Sequence, residues 1–248
     1  MNKAWLRWSL LALAVIGFTM LLANMSWWQS ALHALFPLEK QVLYPTTDLL
    51  SLVARHMQLV AISSALTIII GIPLGVWVTR PHGASFRPIV NDITSFGQTF
   101  PPVAILAIAV PMLGFGGAPT ILALFFYGLL PVVRNTIAGL ESVPPGAVEA
   151  AYGMGMGPTQ MLLKVELPLA ARLILAGIRI SVIINIGTAM IGATIGAGGL
   201  GSPIVAGLVE NNVSYVLEGA VPAGILAILV DRLLANIESS FAYPMGQS

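Results

Sequence analysis

From Ile93 to Val133 the chain carries no charged side chain. Crossing a bilayer takes about 20 apolar residues, because roughly 30 Å of hydrocarbon is traversed at about 1.5 Å per residue. The stretch is therefore too long for one crossing. Gly114-Phe115-Gly116-Gly117-Ala118-Pro119 forms a dense cluster of helix breakers within it. Two spans are expected, at 93–113 and 118–134, joined by a tight turn. The rest of the chain agrees: 57% of residues are hydrophobic and 8% charged, where a soluble domain carries about a quarter. A water-facing surface cannot be covered with so few charges, and disorder needs the opposite composition. The apolar runs are continuous, without the alternation of a transmembrane β-barrel. The expected class is an all-α polytopic membrane protein.

Four further spans are expected: Trp8–Trp28, Leu59–Val78, a fifth from Arg172 to near Gly196, and a sixth within Val213–Leu234 that contains Glu218 and Asp231. The first has the basic start and apolar run of a signal peptide, but it is read as an uncleaved span, since nothing after it resembles a secreted soluble domain. With the N-terminus inside, Lys3, Arg7, Arg80, Arg87, Arg134, Lys164, Arg172, Arg179 and Arg232 are cytoplasmic, and only Lys40 and Arg55 are outside. Nine against two predicts six spans with both termini cytoplasmic. An outer loop is expected at 29–58, a long inner loop at 135–171 and a short cytoplasmic tail at 239–248. Trp27 and Trp28 are expected in an interfacial aromatic belt.

Several function classes are excluded. Net charge is +1 and the basic residues are scattered, so a nucleic-acid partner is not expected. There is no cysteine. His33, His56 and His82 are expected in separate loops, so no metal site is anticipated. No GxxxxGK[ST] phosphate loop is present. No cluster of His, Asp or Glu suggests an enzyme.

The inner loop is neither span nor simple turn. Ser142 can cap a helix beginning at Pro144-Pro145, Gly153, Gly155 and Gly157 loosen it, and a second short helix, Thr159–Val165, is expected to stop at Pro168. The reading is a helix–turn–helix at the membrane surface, with Ala150, Ala151 and Gly155 allowing another body to come close.

Glu149-Ala150-Ala151, then Gly155, then Val165 and Leu167-Pro168 resembles the EAA-loop signature of binding-protein-dependent ABC importer permeases. Val165 stands where the family pattern has Ile. The resemblance implies a type I ABC importer permease fold, in which this loop supplies coupling helices that dock on the ATPase. Glu149, Ala150, Ala151, Gly155, Val165, Leu167 and Pro168 are the coupling residues so implied. Gln98-Thr99-Phe100-Pro101-Pro102, Leu130-Pro131-Val132-Val133-Arg134-Asn135-Thr136, and Gly177-Ile178-Arg179 through Ile195-Gly196-Ala197-Gly198-Gly199-Leu200-Gly201 look like permeases for quaternary-amine osmoprotectants: glycine betaine, choline, carnitine, proline betaine. Pro102 stands where that branch commonly has Ser. The glycine-rich element is shared with methionine permeases, so the alternative substrate is another small amino-acid-like solute.

The resemblance covers 59–238, a permease core following an N-terminal unit of 1–58. It implies a bacterial inner-membrane subunit that is not an enzyme and binds no cofactor, with ATP bound by a partner. The implied partners are a cytoplasmic ATPase dimer, a second permease (identical or paralogous), an extracytoplasmic substrate-binding protein and the lipid bilayer. Gln98, Thr99, Asn185 and Thr188 are polar groups in spans, fitting either a substrate path or interhelical contacts. Gly196, Gly198, Gly199 and Gly201 fit a gate or close packing, with a re-entrant or turn element near the outer face expected. Arg179 is expected paired or snorkelling. An ion-coupled secondary transporter is the rival from another class. It is disfavoured because no repeat is visible and Glu218 is the only plausible intramembrane acid.

Overall fold

The structure is a computed structural model and describes residues 3–241, with side chains from Trp5 onward. Its helices, in chain order, are α1 (Lys3–Ala23), α2 (Met25–Leu35), α3 (Leu49–Val78), α4 (Arg87–Thr99), α5 (Pro102–Leu113), α6 (Gly117–Glu141), α7 (Pro145–Gly153), α8 (Pro158–Met161), α9 (Leu167–Thr188), α10 (Gly201–Glu210) and α11 (Val213–Ser240). Among the described residues there is no strand. Five helical runs are long and apolar enough to cross a membrane, and α4 with α5 meets the same test only as a pair bent by 95°, a broken span or a re-entrant loop. The fold class expected from sequence is the one observed.

The core is α6 held between α3 and α9, and small residues bring the backbones together. A Cβ on Gly71 would lie 2.9 Å from Val132 Cγ1, one on Gly75 2.7 Å from Thr136 Cβ, and one on Gly177 2.7 Å from the Pro131 carbonyl. In lipid there is no hydrophobic gain in pairing helices, so close van der Waals contact of this kind carries the association. More than half of the α6 span is buried, 56%, against 11% for α1. α1 is therefore a peripheral helix, leaning on α11 through Phe18, Leu22, Ala223 and Leu226.

Several boundaries differ from expectation. The span drawn through 93–113 bends by 95° between α4 and α5. Pro101 supplies no N–H, and Phe100 before it takes an extended conformation, as the steric demand of the following proline favours. α6 continues past 134 to Glu141. The first span ends at Ala23, and Trp27 and Trp28 belong to a separate helix, α2. Trp27 is exposed but Trp28 is buried, so only the former suits an aromatic belt. α3 begins at Leu49, ten residues before the expected start, because Asp48 caps it by accepting from the Ser51 N–H at 2.9 Å. The outer loop thus contracts to 36–48. Arg55 and His56 lie inside α3, and His56 is fully buried where a loop position was expected. His33 falls on α2. Of the tail at 239–248, Ser239 and Ser240 extend α11, and 242–248 lie outside the described residues.

The inner loop departs most from expectation. Ser142 is the C-cap of α6 rather than the N-cap of the next helix, and its hydroxyl donates to the Gly139 carbonyl at 2.8 Å. α7 begins at Pro145, with Pro144 as its flanking residue. Pro168 does not stop the second helix. Leu162–Glu166 form a π-helical turn between α8 and α9, and the helical run continues from Pro158 to Ile195. Proline is tolerated because it sits in the first turn of α9, directly after the π-turn, where a helix has least need of its N–H.

Candidate functional site

The motif residues between Glu149 and Pro168 sit on a knuckle at one end of the bundle. α7 starts with Pro144 and Pro145, whose fixed φ suits a helix entry. It ends at Gly153, and the turn after it places Gly155 at φ +76°, a left-handed position that glycine occupies without a Cβ penalty. The Gly155 N–H donates to the Tyr152 carbonyl at 2.9 Å and the Met156 N–H to the Ala151 carbonyl at 3.1 Å. These bonds close the turn. Glu149, Ala150 and Gly155 are exposed, while Ala151 is fully buried, and Val165 and Leu167 are half-buried. Ala151, Val165 and Leu167 therefore hold the knuckle onto the chain. Glu149, Ala150, Gly155 and Pro168 face outward. Tyr152 and Met154 are 57% and 69% exposed, large apolar side chains beside the signature residues that motif spacing alone did not single out.

Ion pairs fasten this end to the core. Arg80, just past α3, pairs with Glu166 of the π-turn at 2.8 Å. Arg87 at the start of α4 pairs with Glu141 at the end of α6, one contact being 3.1 Å. Arg179 on α9 is paired, as anticipated: its guanidinium donates to both Asp231 oxygens at 2.7 and 3.0 Å, and to Glu238 at 3.3 Å. The parallel geometry is the strong bidentate arrangement available to arginine.

The four polar residues proposed for a path are not brought together. Gln98 is half-buried and Thr99 exposed next to the α4–α5 bend, where the Thr99 hydroxyl donates to Ser95 and Phe96 carbonyls of its own helix. Asn185 is fully buried at the α3–α6–α9 junction and reaches Ser63 and Ser64 at 3.4 Å. Gly128 of α6 completes that junction, since a Cβ there would lie 3.1 Å from Asn185 Nδ2 and 3.2 Å from Thr67 Oγ1. Asn185 thus serves interhelical contact within one chain. Thr188 is half-buried at the end of α9.

The glycine-rich element is a turn followed by a short helix. After Ala189–Ile195, a 3-10 stretch, Gly196, Gly198 and Gly199 all have φ near +80°, and Gly201 opens α10. Arg55 Nε donates to the Ala197 carbonyl at 3.0 Å and His56 Nε2 to the Ile186 carbonyl at 2.9 Å. A Cβ on Gly199 would touch His56 at 3.2 Å, and one on Gly201 would overlap the Met190 carbonyl. Each glycine is thus demanded by φ or by close approach, and α3 clasps the turn.

A second polar network was not legible in the sequence. Glu218 of α11 is fully buried and accepts the Tyr44 N–H at 2.6 Å. Asn212 Nδ2 donates to the Gln41 carbonyl at 2.8 Å, Ser214 Oγ to the Val42 carbonyl at 2.6 Å, and Tyr215 OH to Gln41 Oε1 at 3.0 Å. The one acid that suggested ion coupling is instead the peg for the extended segment 41–44. Among the described residues no group of His, Asp or Glu is arranged to hold a metal ion.

The architecture and the sequence both have close counterparts. The chain is 42% identical to the osmoprotectant import permease protein OsmY of Salmonella typhimurium over 89% of this chain and 92% of that one. It is 45% identical to the choline transport system permease protein OpuBB of Bacillus subtilis over 77% and 87%. The inward-facing MetNI methionine ABC transporter matches its fold with a TM-score of 0.70 at 25% identity, covering 79% of this chain and 96% of that one. Residues 71–243 match the family model for binding-protein-dependent transport system inner membrane components. That match runs from the last turns of α3 through α11 and takes in the knuckle and the glycine-rich turn, and the chain belongs to this family as a multi-pass permease subunit of an ABC importer.

Proposed function

We propose that this permease carries a quaternary-amine osmoprotectant of the glycine betaine, choline or carnitine kind into the cell, powered by a separate ATPase that docks on the α7 knuckle. The observation carrying the coupling half is the outward cluster Glu149, Ala150, Tyr152, Met154 and Gly155 at the head of the run that continues into α9. Small residues let a partner's backbone approach, and the exposed Tyr152 and Met154 offer apolar area to bury. The substrate half is supported by relatives above 40% identity that are named for osmoprotectants and choline, whereas the methionine transporter is a more distant likeness. In this reading both termini, residues 80–92 and the knuckle face the cytoplasm of a bacterial inner membrane, following the basic bias. Substrate is delivered by an extracytoplasmic binding protein, and two permease subunits, identical or paralogous, form the path.

The test compares Gly155→Trp with Gly155→Asn. Asparagine is among the residues that best tolerate positive φ, and the space around Gly155 is open. The asparagine variant should keep ATPase copurification and uptake of labelled glycine betaine or choline. The tryptophan variant should lose both while inserting normally. Normal copurification with Trp refutes the coupling site. Uptake of methionine in place of betaine or choline by the unaltered importer refutes the substrate.

A further inference from the structure

α1 and α11 enclose a groove that neither the coupling knuckle nor the glycine-rich turn uses. Its volume is about 510 Å³, and it is lined by Arg7, Leu10 and Ala14 from α1 and by Ile228, Arg232 and Asn236 from α11, among others. The two helices run antiparallel: Phe18 and Leu22 of α1 pack in one cluster with Ala223 and Leu226 of α11, leaving Arg7 beside Arg232. This is also the end of the bundle that carries Arg172, Arg179 and the knuckle.

Charge is sorted across α11. Asp231 and Glu238 turn toward α9 and are taken up by Arg179, with Arg172 at 3.9 Å from Glu238. Arg232, next in sequence to Asp231, turns to the groove instead. Among the described residues neither Arg7 nor Arg232 has a carboxylate partner, and residues 1–4 and 242–248 contain no Asp or Glu. Among the described residues, two cations therefore face one groove without a carboxylate partner.

The apolar walls are graded by depth. Leu10 and Ala14 lie one and two turns beyond Arg7, and Ile228 one turn before Arg232, so on both helices the apolar side lies toward the middle of the span. Leu10 and Ile228 are 57% and 61% exposed, which leaves the wall open from the side. Positive charge at the rim with an open aliphatic wall beneath matches the two halves of one molecule. A free phosphate would answer the arginines and leave the wall bare. A second copy of the same face would bring four arginines together.

We infer that this groove seats an anionic phospholipid, with its phosphate between Arg7 and Arg232 and an acyl chain along Leu10, Ala14 and Ile228. Asn236, one turn beyond Arg232, offers an amide to the headgroup. Basic pockets between helices at a membrane face suit such headgroups.

The test uses the assembled transporter in detergent, titrated with phosphatidylglycerol or phosphatidylcholine and read by native mass spectrometry. Two arginines at a membrane surface imply a preference of about thirtyfold for the anionic lipid. Arg7→Gln with Arg232→Gln should bring that ratio close to one, and Lys164→Gln, which removes a charge elsewhere at this end, should leave it unchanged. Ile228→Trp keeps both charges but fills the groove and should displace the lipid, which covers the case in which the double variant fails to insert. Equal retention of the two lipids, unchanged preference in the double variant, or equal occupancy by glycerol 3-phosphate would each overturn the assignment. So would a crosslink joining Arg7→Cys of one copy to the same position in another.

Discussion

Replacing Arg179 by methionine should cost this protein about 2–3 kcal/mol, and the size follows from its partners. Arg179 makes two hydrogen bonds to Asp231 and one to Glu238. Breaking a buried pair by removing one member costs about 3–5 kcal/mol, because the other charge stays behind unpaired. Side-chain exposures of 32%, 27% and 19% for Arg179, Asp231 and Glu238 admit some screening and reduce that figure. Asp231→Leu should cost less, about 1–2 kcal/mol, since Arg179 keeps Glu238. The double variant removes the orphaned charge, so it should be less destabilised than the sum by about 1.5–2 kcal/mol. The assay is reversible unfolding in mixed micelles by SDS titration, run for the four proteins of the cycle. A coupling energy below about 0.5 kcal/mol, the additivity expected of sites that do not interact, would show that the pair contributes nothing beyond two independent side chains.

Glu218→Leu should free segment 36–48 to proteolysis, because the Tyr44 N–H loses its acceptor at a cost of about 1–3 kcal/mol; Glu218→Gln retains an acceptor oxygen and should resist cleavage as the parent does. The Asp48 carboxyl is held below its ordinary value of 3.8, chiefly by the Ser51 N–H and then by the Ser51 hydroxyl. A depressed carboxylate stabilises above its unfolded value, so this cap should be intact at neutral pH and lost only as pH falls through the depressed value. Asp48→Ala should then weaken the start of α3 by about 0.5–1 kcal/mol at pH 7, seen as faster amide exchange at residues 49–53, with the difference shrinking in acid.

The class and the approximate place of each apolar run were legible because hydropathy and breaker residues act locally, whereas the helix ends were not. Gly155 announced a helix end, and Gly114–Gly117 a turn between α5 and α6, through conformational freedom that any sequence window shows. Direction is not local. Pro101 was visible, but whether a proline bends a span or merely stiffens its entry depends on what packs on either side. Pro168 read as a stop because a helix interior cannot absorb a missing donor, but it falls in the first turn of α9, just after the π-turn at Leu162–Glu166, where that donor is not needed. Ala151 carried the same motif signal as Ala150, yet helical periodicity turns one inward and the other outward. The Glu218 peg was invisible for a different reason: its partner is a backbone N–H 174 positions away, and a backbone donor leaves no trace in residue identity.

The uninterrupted run from Pro158 to Ile195 has a mechanical consequence. These 38 residues, α8, the π-turn, α9 and the 3-10 stretch joined end to end, extend on the order of 55 Å. A tilt of roughly 5° at the knuckle moves the opposite end by about 5 Å at that length. At that far end the run meets the three left-handed glycines and the Arg55 clasp. Had Pro168 broken the run, a push at the knuckle would have dissipated in a flexible joint. On the proposed docking of a partner at the knuckle, the π-turn in place of a break would carry such a movement along the run to the turn that Gly196, Gly198 and Gly199 form and α3 clasps.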